Sequence, residues 1–515
     1  MNFEEDLTMK ELLLGIDLGG TVTKVCLFDQ KGREVAAVSA PADNTVPAPD
    51  RVERDAEALW QTVCGLIRRA LETSGVSADN IASVGLTGYG NGICLADENG
   101  FAVGPAIVST DDRGGDIVAE MRANGQEEKI YALTHQRLWS AQTGTLLLWL
   151  YKNEPERVKK ARWFLGIKDY IRMKLCGKAF CEITEASSTG LMNLQTKAFD
   201  PQLFALLGLE ECFRLAPPVL DCCESGGRVT AEAAALTGLA EGTPIGGAMF
   251  DVDASMLASG ILDGDTLCMI AGTWSINEYL ADAPPHSYGE STNSLSTAFL
   301  RDKFLIEEST PTSASNLDWF LNTLLKRDGQ DPRDPALYEA VAKALETTSP
   351  EDSNAVFVPY LYASATHPDA KGCFLNLSGY TSKAHLIRAV CEGVVFSSVF
   401  NVRRLEEGVK TFSLARLSGG LTRSKTWTQM MADALGIPVE VPDAAELASL
   451  GACMAAGVGC GLWKNYEEAV KDCVHISGRY LPDPARSAAL QKKYAAYVKA
   501  VKALDAFHES MEEER

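Results

Sequence analysis

The stretch 12–29, LLLGIDLGGTVTKVCLFD, decides the fold. It reads as a strand ending in an acid, Asp17, then a glycine pair, Gly19 and Gly20, then a return strand carrying Thr21, Thr23 and Lys24. Glycines let the backbone approach a ligand, and consecutive N–H groups in such a turn form a concavity that attracts anions. The threonines add donors and Lys24 a positive charge. Asp17 would repel a phosphate unless a cation stood between them, and magnesium, held by one or two carboxylates and its own waters, suits that place. An ordinary glycine hairpin opening a sheet explains the same residues equally well.

The motif recurs. Gly20-Thr21-Val22-Thr23 returns as Gly272-Thr273-Trp274-Ser275, again after an apolar strand (TLCMI) and before another short one. The offset is about half the chain, which points to a duplication in which two related lobes offer glycine-hydroxyl turns to one cleft.

Working outward, Glu34 to Ala40 continues the sheet and Pro41 to Asp50 reads as a loop. Asp55 caps a helix whose apolar positions are Leu59, Trp60, Val63, Leu66, Ile67 and Leu71. The strand Ile81 to Leu86 ends in TGYGNG, whose glycines miss the dinucleotide fingerprint. Asp111, Asp112 and Arg113 cluster before a helix, where capping and surface charge are as good a reading as ligand binding. A helix spans Lys168 to Cys176, and the glycine-rich strand Thr243 to Phe250 delivers Asp251, for which helix N-capping is the ordinary role. A long helix from Lys383 to Arg404 and a strand from Phe412 to Leu417 lead to the turn Ser418-Gly419-Gly420. Lys425-Thr426 lacks the glycine before lysine that a P-loop needs. Ala448 to Val458 is a small-residue helix suited to close packing, and the charged C-terminus reads as a surface helix.

A chain of 515 residues, 46% hydrophobic and 23% charged, accommodates several ordinary cores. The net charge of −21 argues against nucleic acid or an anionic membrane as a general partner. The opening MNFEEDLTMK lacks the basic start of a signal peptide, and no uncharged apolar run reaches spanning length, so a cytoplasmic location is expected. The 14 cysteines show no Cys-x-x-Cys spacing and fit buried free thiols; the adjacent Cys222 and Cys223 stand unexplained, and the six histidines form no zinc signature.

Taken in order, DLGGTVTK (17–24), TDDR (110–113), WLYKNEP (149–155), GGAMFD (246–251), GTWS (272–275), FVPYLYASATHPDAKG (357–372) and the run from SGGLTRSKTW at 418 resemble the FGGY carbohydrate kinases. That family shares the actin, heat-shock ATPase and hexokinase architecture. The resemblance implies an α/β protein of two duplicated actin-like (ribonuclease H-like) lobes with mixed sheets and an interlobe cleft. Residues 1–252 would form the N-terminal lobe on the sugar and phosphate side, and 253–515 the C-terminal, nucleotide-side lobe. It implies ATP and Mg2+, with Asp17 touching the metal through water and Gly19, Gly20, Thr21, Thr23 and Lys24 around the transferred phosphate. Gly272 and Thr273 would hold the phosphate tail, Gly419, Gly420 and Arg423 would border the adenosine, and Asp251 would be the catalytic base.

Tyr89, Gly90, Asn91, Asp111, Arg113, Trp139, Phe250 and Asp251 would line the sugar. Xylulokinases carry Met-His where this chain has Gly90-Asn91, which points away from D-xylulose. Segment by segment the chain is most similar to the L-xylulose and 3-keto-L-gulonate kinase branch, with erythritol kinases as neighbours. The expected substrate is a ketopentose such as L-xylulose, the alternatives being erythritol or another polyol, D-xylulose, or a non-catalytic sensor of ATP and sugar. No nucleic acid or membrane partner is expected, and a homodimer is compatible with the resemblance.

Overall fold

The computed structural model describes residues 11–272, 274–285, 287, 294–310, 312–332, 334–362, 364, 366–367, 369–407 and 411–513. They divide into two units, Met1–Leu262 with Leu280–Leu305 and Ala444–His475, and Asp263–Tyr279 with Ile306–Asp443 and Ile476–Arg515. The first unit thus joins residues 280–305 and 444–475 to the N-terminal half of the sequence.

The sheet of the first unit runs Glu34–Pro41, Val22–Asp29, Leu12–Leu18, Ile81–Gly88, Pro244–Ile245, Gly227–Arg228. Its opening hairpins are antiparallel, the pairings on either side of Ile81–Gly88 are parallel, and the last strand turns antiparallel. Six neighbouring strands of the second unit's seven-stranded sheet run Phe304–Thr310, Ser275–Ala281, Thr266–Ala271, Leu414–Ser418, Val439–Pro442, Ile476–Tyr480. It too has an antiparallel hairpin at the glycine turn, then parallel pairings, then an antiparallel edge. The short GTVT and GTWS match thus marks the same corner of two sheets that share the order of six strands.

Side-chain alternation explains how the first sheet is covered. Leu12, Leu14, Ile16 and Leu18, with Val25 and Leu27, form one apolar face, against which helix Ala56–Ser74 packs Leu59, Trp60, Val63 and Ile67. That helix starts where Asp55 accepts from the N–H groups of Glu57 and Ala58 at 2.9 and 3.0 Å, and it ends at Gly75 with φ 69°. The opposite face is built for close approach. A Cβ on Gly15 would sit 2.7 Å from the Ser449 carbonyl, and one on Gly85 only 2.2 Å from that of Ala452. Helix Leu447–Gly459 occupies that space, and its Gly451 meets the Ala254 carbonyl of helix Asp251–Ala258 just as tightly.

Elsewhere the structure differs from the sequence reading in detail. Within 41–50, Asn44–Ala48 is a strand paired with Arg51–Arg54 rather than loop, because it can close a small sheet with Ala106–Ile107. The final helix, Pro484–Glu513, is not simply a surface helix: it buries Leu490, Tyr497 and Val501. Among the described residues, Lys383–Glu406 alone is long and apolar enough to span a membrane, and 83% of its apolar window is buried inside the fold.

Candidate active site

The carboxyl end of strand Ile81–Gly88 gathers the first unit's candidates. On one side Asp17 pairs with Thr87 and Leu18 with Gly88; on the other Met249 pairs with Thr87 and Phe250 with Gly88. The strand itself runs on into Tyr89, Gly90 and Asn91. Asp17 and the start of the Asp251 helix therefore flank one strand end, with the Tyr89–Asn91 turn leaving from it. At a strand spacing of about 4.8 Å, the two acids are carried by backbones roughly 10 Å apart.

The glycine turn is tight, with Gly19 N–H donating to the Val22 carbonyl at 3.1 Å. Its carbonyls are tied down by residues that sequence reading passed over. Arg54, 1% exposed, donates to the Gly20 carbonyl at 3.0 Å and to that of Gly19 at 3.3 Å. Asn44 Nδ2 donates to the Gly20 carbonyl at 2.9 Å, and Arg54 Nε to Asn44 Oδ1 at 2.8 Å. The Arg54 guanidinium also lies over the Tyr89 ring, 5.5 Å from its centroid, linking the glycine turn to the turn after the central strand.

Lys24 stands opposite Asp17 in the antiparallel register, and its ammonium is paired with Glu446 Oε2 at 2.5 Å. Glu446 sits at the N-cap position of helix Leu447–Gly459 without capping it, leaving its carboxylate for Lys24. Burial pushes the half-buried Asp17 carboxyl up to about 6; Lys24 pulls it down and Glu446 pushes it further up. Thr21 is exposed beside the turn. Thr23 is not brought to the Asp17 face: it alternates with Lys24, is fully buried and leaves its hydroxyl without a partner.

Asp251 opens helix Asp251–Ala258 as its first residue, the cap position being Phe250. Its carboxylate is thus a first-turn acid favoured by the helix dipole. Gly90 gives the Phe250 ring its room, since a Cβ there would come within 2.6 Å of it. Asn91 takes a left-handed φ of 65°, which asparagine tolerates better than most residues. Its N–H donates to Glu185 Oε1 at 2.7 Å and its Nδ2 to Ser188 Oγ at 3.3 Å, while its buried Oδ1 has no partner. The phenol of Tyr89 is pushed up to about 12 by burial and stays neutral as a donor.

Asp111 and Arg113 bind each other. The buried guanidinium forks onto Asp111 through Nε and an NH2 nitrogen, both at 2.8 Å, reaches Glu53 at 2.8 Å, and lies over Trp149. Burial lowers the Arg113 pKa, but Asp111 and Glu53 outweigh it and the net shift is upward. Asp111 also accepts from the N–H groups of Val52 at 2.7 Å and Arg113 at 3.0 Å, and Arg113 Nη1, buried and unpartnered, remains as the pair's donor to spare. Trp139 is 37% exposed rather than core.

In the second unit Gly272 N–H donates to the Trp274 carbonyl at 3.1 Å, the counterpart of the Gly19 turn; Thr273 lies outside the described residues. Gly419, with φ 94°, abuts this turn so closely that a Cβ would meet the Ala271 carbonyl at 2.5 Å and Gly272 N at 3.0 Å. Gly420 starts a short 3-10 turn to Arg423, which is exposed, and helix Lys425–Leu435 follows.

The model for the N-terminal domain of the FGGY family of carbohydrate kinases matches residues 12–258, and that for its C-terminal domain residues 267–460. The chain belongs to the FGGY family of carbohydrate kinases. As a member it is a phosphotransferase with an alcohol acceptor, and ATP is its phosphate donor. This FGGY kinase is 35% identical to the L-xylulose/3-keto-L-gulonate kinase of Escherichia coli (strain K12), over 98% of its own chain and 99% of that protein. It is 34% identical to a probable L-xylulose kinase of Pasteurella multocida (strain Pm70), over 96% and 99%. Among solved structures, the xylulose kinase from Rhodospirillum rubrum superposes with a TM-score of 0.86 at 26% identity, over 96% of this FGGY kinase and 99% of that chain.

Proposed function

We propose that this carbohydrate kinase transfers the ATP γ-phosphate to a hydroxyl of a ketopentose, with L-xylulose as first choice. The observation that carries this reading is the end-to-end 35% identity to the Escherichia coli L-xylulose/3-keto-L-gulonate kinase. The small Gly90-Asn91 pair beside Phe250 supports it.

In this reading Asp251 is the base. A sugar hydroxyl within hydrogen-bond reach donates its proton to the carboxylate as the oxygen attacks the γ-phosphorus in line and ADP departs, an assistance worth about 10²- to 10⁴-fold. The helix dipole favours the ionised carboxylate that must accept that proton. Arg113 Nη1, Asn91 Oδ1 and the Tyr89 hydroxyl hold and orient sugar hydroxyls, with Asp111 keeping Arg113 in place and Trp139 at the margin. Gly19, Gly20 and Thr21 take the transferred phosphate with Lys24, whose reach Glu446 controls, and Thr23 supports the turn from its core side. Gly272, Thr273, Gly419, Gly420 and Arg423 are the proposed nucleotide-binding residues of the second unit.

Magnesium belongs to the same proposal. Among the described residues the Asp17 carboxylate accepts no hydrogen bond, and no group of three or more acids, histidines and cysteines gathers that could hold a metal. One carboxylate fits magnesium, which keeps several waters and shares substrate phosphates. When bound it neutralises charge on the phosphoryl oxygens. Use of ATP fits a cytoplasmic enzyme.

The test is coupled ADP release over L-xylulose, 3-keto-L-gulonate, D-xylulose, erythritol and glycerol, with the product identified by mass spectrometry. Highest kcat/KM on L-xylulose is expected; preference for erythritol or D-xylulose would overturn the substrate, and no phosphorylated product at all would overturn the reading. Asp251→Asn is expected to keep the nucleotide-induced thermal shift and to lose at least about 100-fold in sugar-dependent turnover. Near-normal turnover would remove Asp251 from its role.

A further inference from the structure

Behind the Asn91 turn lies a cluster of charged side chains that the reaction as described does not use. Lys168, Asp169, Arg172, Glu182 and Glu185 are each no more than 1% exposed. Lys168 Nζ lies 2.5 Å from Glu185, 3.2 Å from Glu182 and 3.7 Å from Asp169, and Arg172 lies 3.0 Å from Asp169. Taking such charges out of water costs several kcal/mol per ion, and hydrophobic groups of similar volume would often serve stability as well. Stability alone is therefore a poor account of the cluster.

Its hydrogen bonds run to two places. Glu185 uses one oxygen for Lys168 and the other, Oε1, for the N–H of Asn91, whose side chain is held by Ser188 on the same short helix, Ile183–Ser188. Glu182 caps that helix, accepting from the N–H groups of Thr184 and Glu185, each at 2.7 Å. The Thr184 hydroxyl donates to Glu182 and accepts the N–H of Phe250 at 3.0 Å, immediately before Asp251. Arg172 donates to the Gly247 carbonyl in the loop leading to Phe250. Cys222 finds its place here as well, its thiol donating to Glu182 Oε2 at 3.5 Å.

We propose that Thr184 and Glu185, backed by the buried ions, are positioning residues that hold the sugar-side turn at Asn91 and the start of the Asp251 helix in one register. The inference rests on the reading of Asn91 as a sugar contact and Asp251 as the base. Thr184 sets the base end, so its loss acts on the chemical step; Glu185 sets the Asn91 end, so its loss acts on sugar binding. A glutamine at 185 cannot do both jobs, because an amide has one acceptor oxygen where the carboxylate employs two, and its NH2 would face either Lys168 or the Asn91 N–H.

The experiment compares wild type, Thr184→Val, Thr184→Ser and Glu185→Gln on the best sugar of the panel, with the nucleotide-induced thermal shift as the check of folding. A small misplacement of reacting groups costs up to about 100-fold, so Thr184→Val is expected to lower kcat about 10-fold or more with sugar KM within about threefold. Thr184→Ser, which keeps the hydroxyl, is expected to restore kcat to within about threefold of wild type. Glu185→Gln is expected to raise sugar KM about 10-fold while kcat changes less. Unchanged kinetics in Thr184→Val, or failure of serine to rescue it, overturns the proposal. Should Thr184→Val not fold, Glu185→Gln decides alone, and an unchanged sugar KM overturns it. A wild type inactive on every sugar fails the functional reading itself, and is seen before any variant is compared.

Discussion

Asp17→Asn should make the protein inactive and more stable. Burial raises the Asp17 carboxyl from 3.8 to about 6, the like charge of Glu446 adds to this, and Lys24 opposes it. Each pKa unit is about 1.4 kcal/mol of difference between protonation states, so ionising Asp17 in the folded protein costs at most about 3 kcal/mol more than in the unfolded chain. Solvent at the half-buried group scales this to an expected gain of about 1–3 kcal/mol for the neutral variant. The sign sets the pH window. Because the folded pKa lies above the unfolded one, the penalty is fully present above about pH 6, fades as pH falls through the range down to 3.8 and is gone below it, where both states are protonated.

The assay is urea unfolding of wild type and Asp17→Asn without nucleotide or magnesium at pH 7.5, 6 and 4.5, following the first unit's transition. The variant should lead at pH 7.5, and its lead should shrink at each step down. A variant no more stable than wild type at pH 7.5, or an advantage that persists undiminished at pH 4.5, refutes the reasoning. The expected pattern is that of a residue kept for chemistry at a cost in stability.

Glu446→Gln removes the charge that raises Asp17 and loosens the pair with Lys24 at 2.5 Å, so the acid limb of the kcat/KM profile should move to lower pH; an unmoved limb or an upward move contradicts this. Gly85→Ala would drive a Cβ to 2.2 Å from the Ala452 carbonyl, backbone that cannot swing aside, and should cost about 3 kcal/mol in chemical denaturation. Gly65→Ala, on the helix Ala56–Ser74 with nothing within 4 Å, should instead stabilise by about 0.5–1 kcal/mol, and equal effects at the two sites would discredit the packing argument. Arg113→Lys keeps the charge but loses the fork onto Asp111 and the contact with Glu53; a loss of about 2 kcal/mol in thermal unfolding, with a raised sugar KM, is expected, and a silent substitution would show that the fork is dispensable.

What could be read from the sequence was what repeats locally. The strands on either side of the glycine pair form as read, Asp55 caps the helix that follows, and the apolar positions at helical spacing, Leu59, Trp60, Val63, Leu66, Ile67 and Leu71, are the ones it buries. The recurrence of Gly-Thr identified the same corner of both sheets. What periodicity does not carry is which distant element covers a face. Glu446 meets Lys24 across 422 positions, and nothing in a glutamate ahead of an alanine-rich run says so. Arg54 and Lys168 drew no attention as charges because, in sequence, a buried cation looks like a surface one. The partners that make burial tolerable, the carbonyls of Gly19 and Gly20 for Arg54 and Glu185 for Lys168, are specified only by the fold.

Helix Leu447–Gly459 has a consequence for how the chain is made. The sheet built by residues 12–88 keeps one face open for it, with Gly15 and Gly85 shaped to its backbone. On the ribosome that face waits until residue 459 of the 515 has been joined, so the first unit cannot finish folding as the nascent chain emerges. Half-made molecules must carry an uncovered sheet through most of their synthesis, a state that invites aggregation and chaperone capture. A fragment ending at Leu262 should behave as that arrested intermediate, and supplying residues 444–475 as a separate peptide should rescue its solubility.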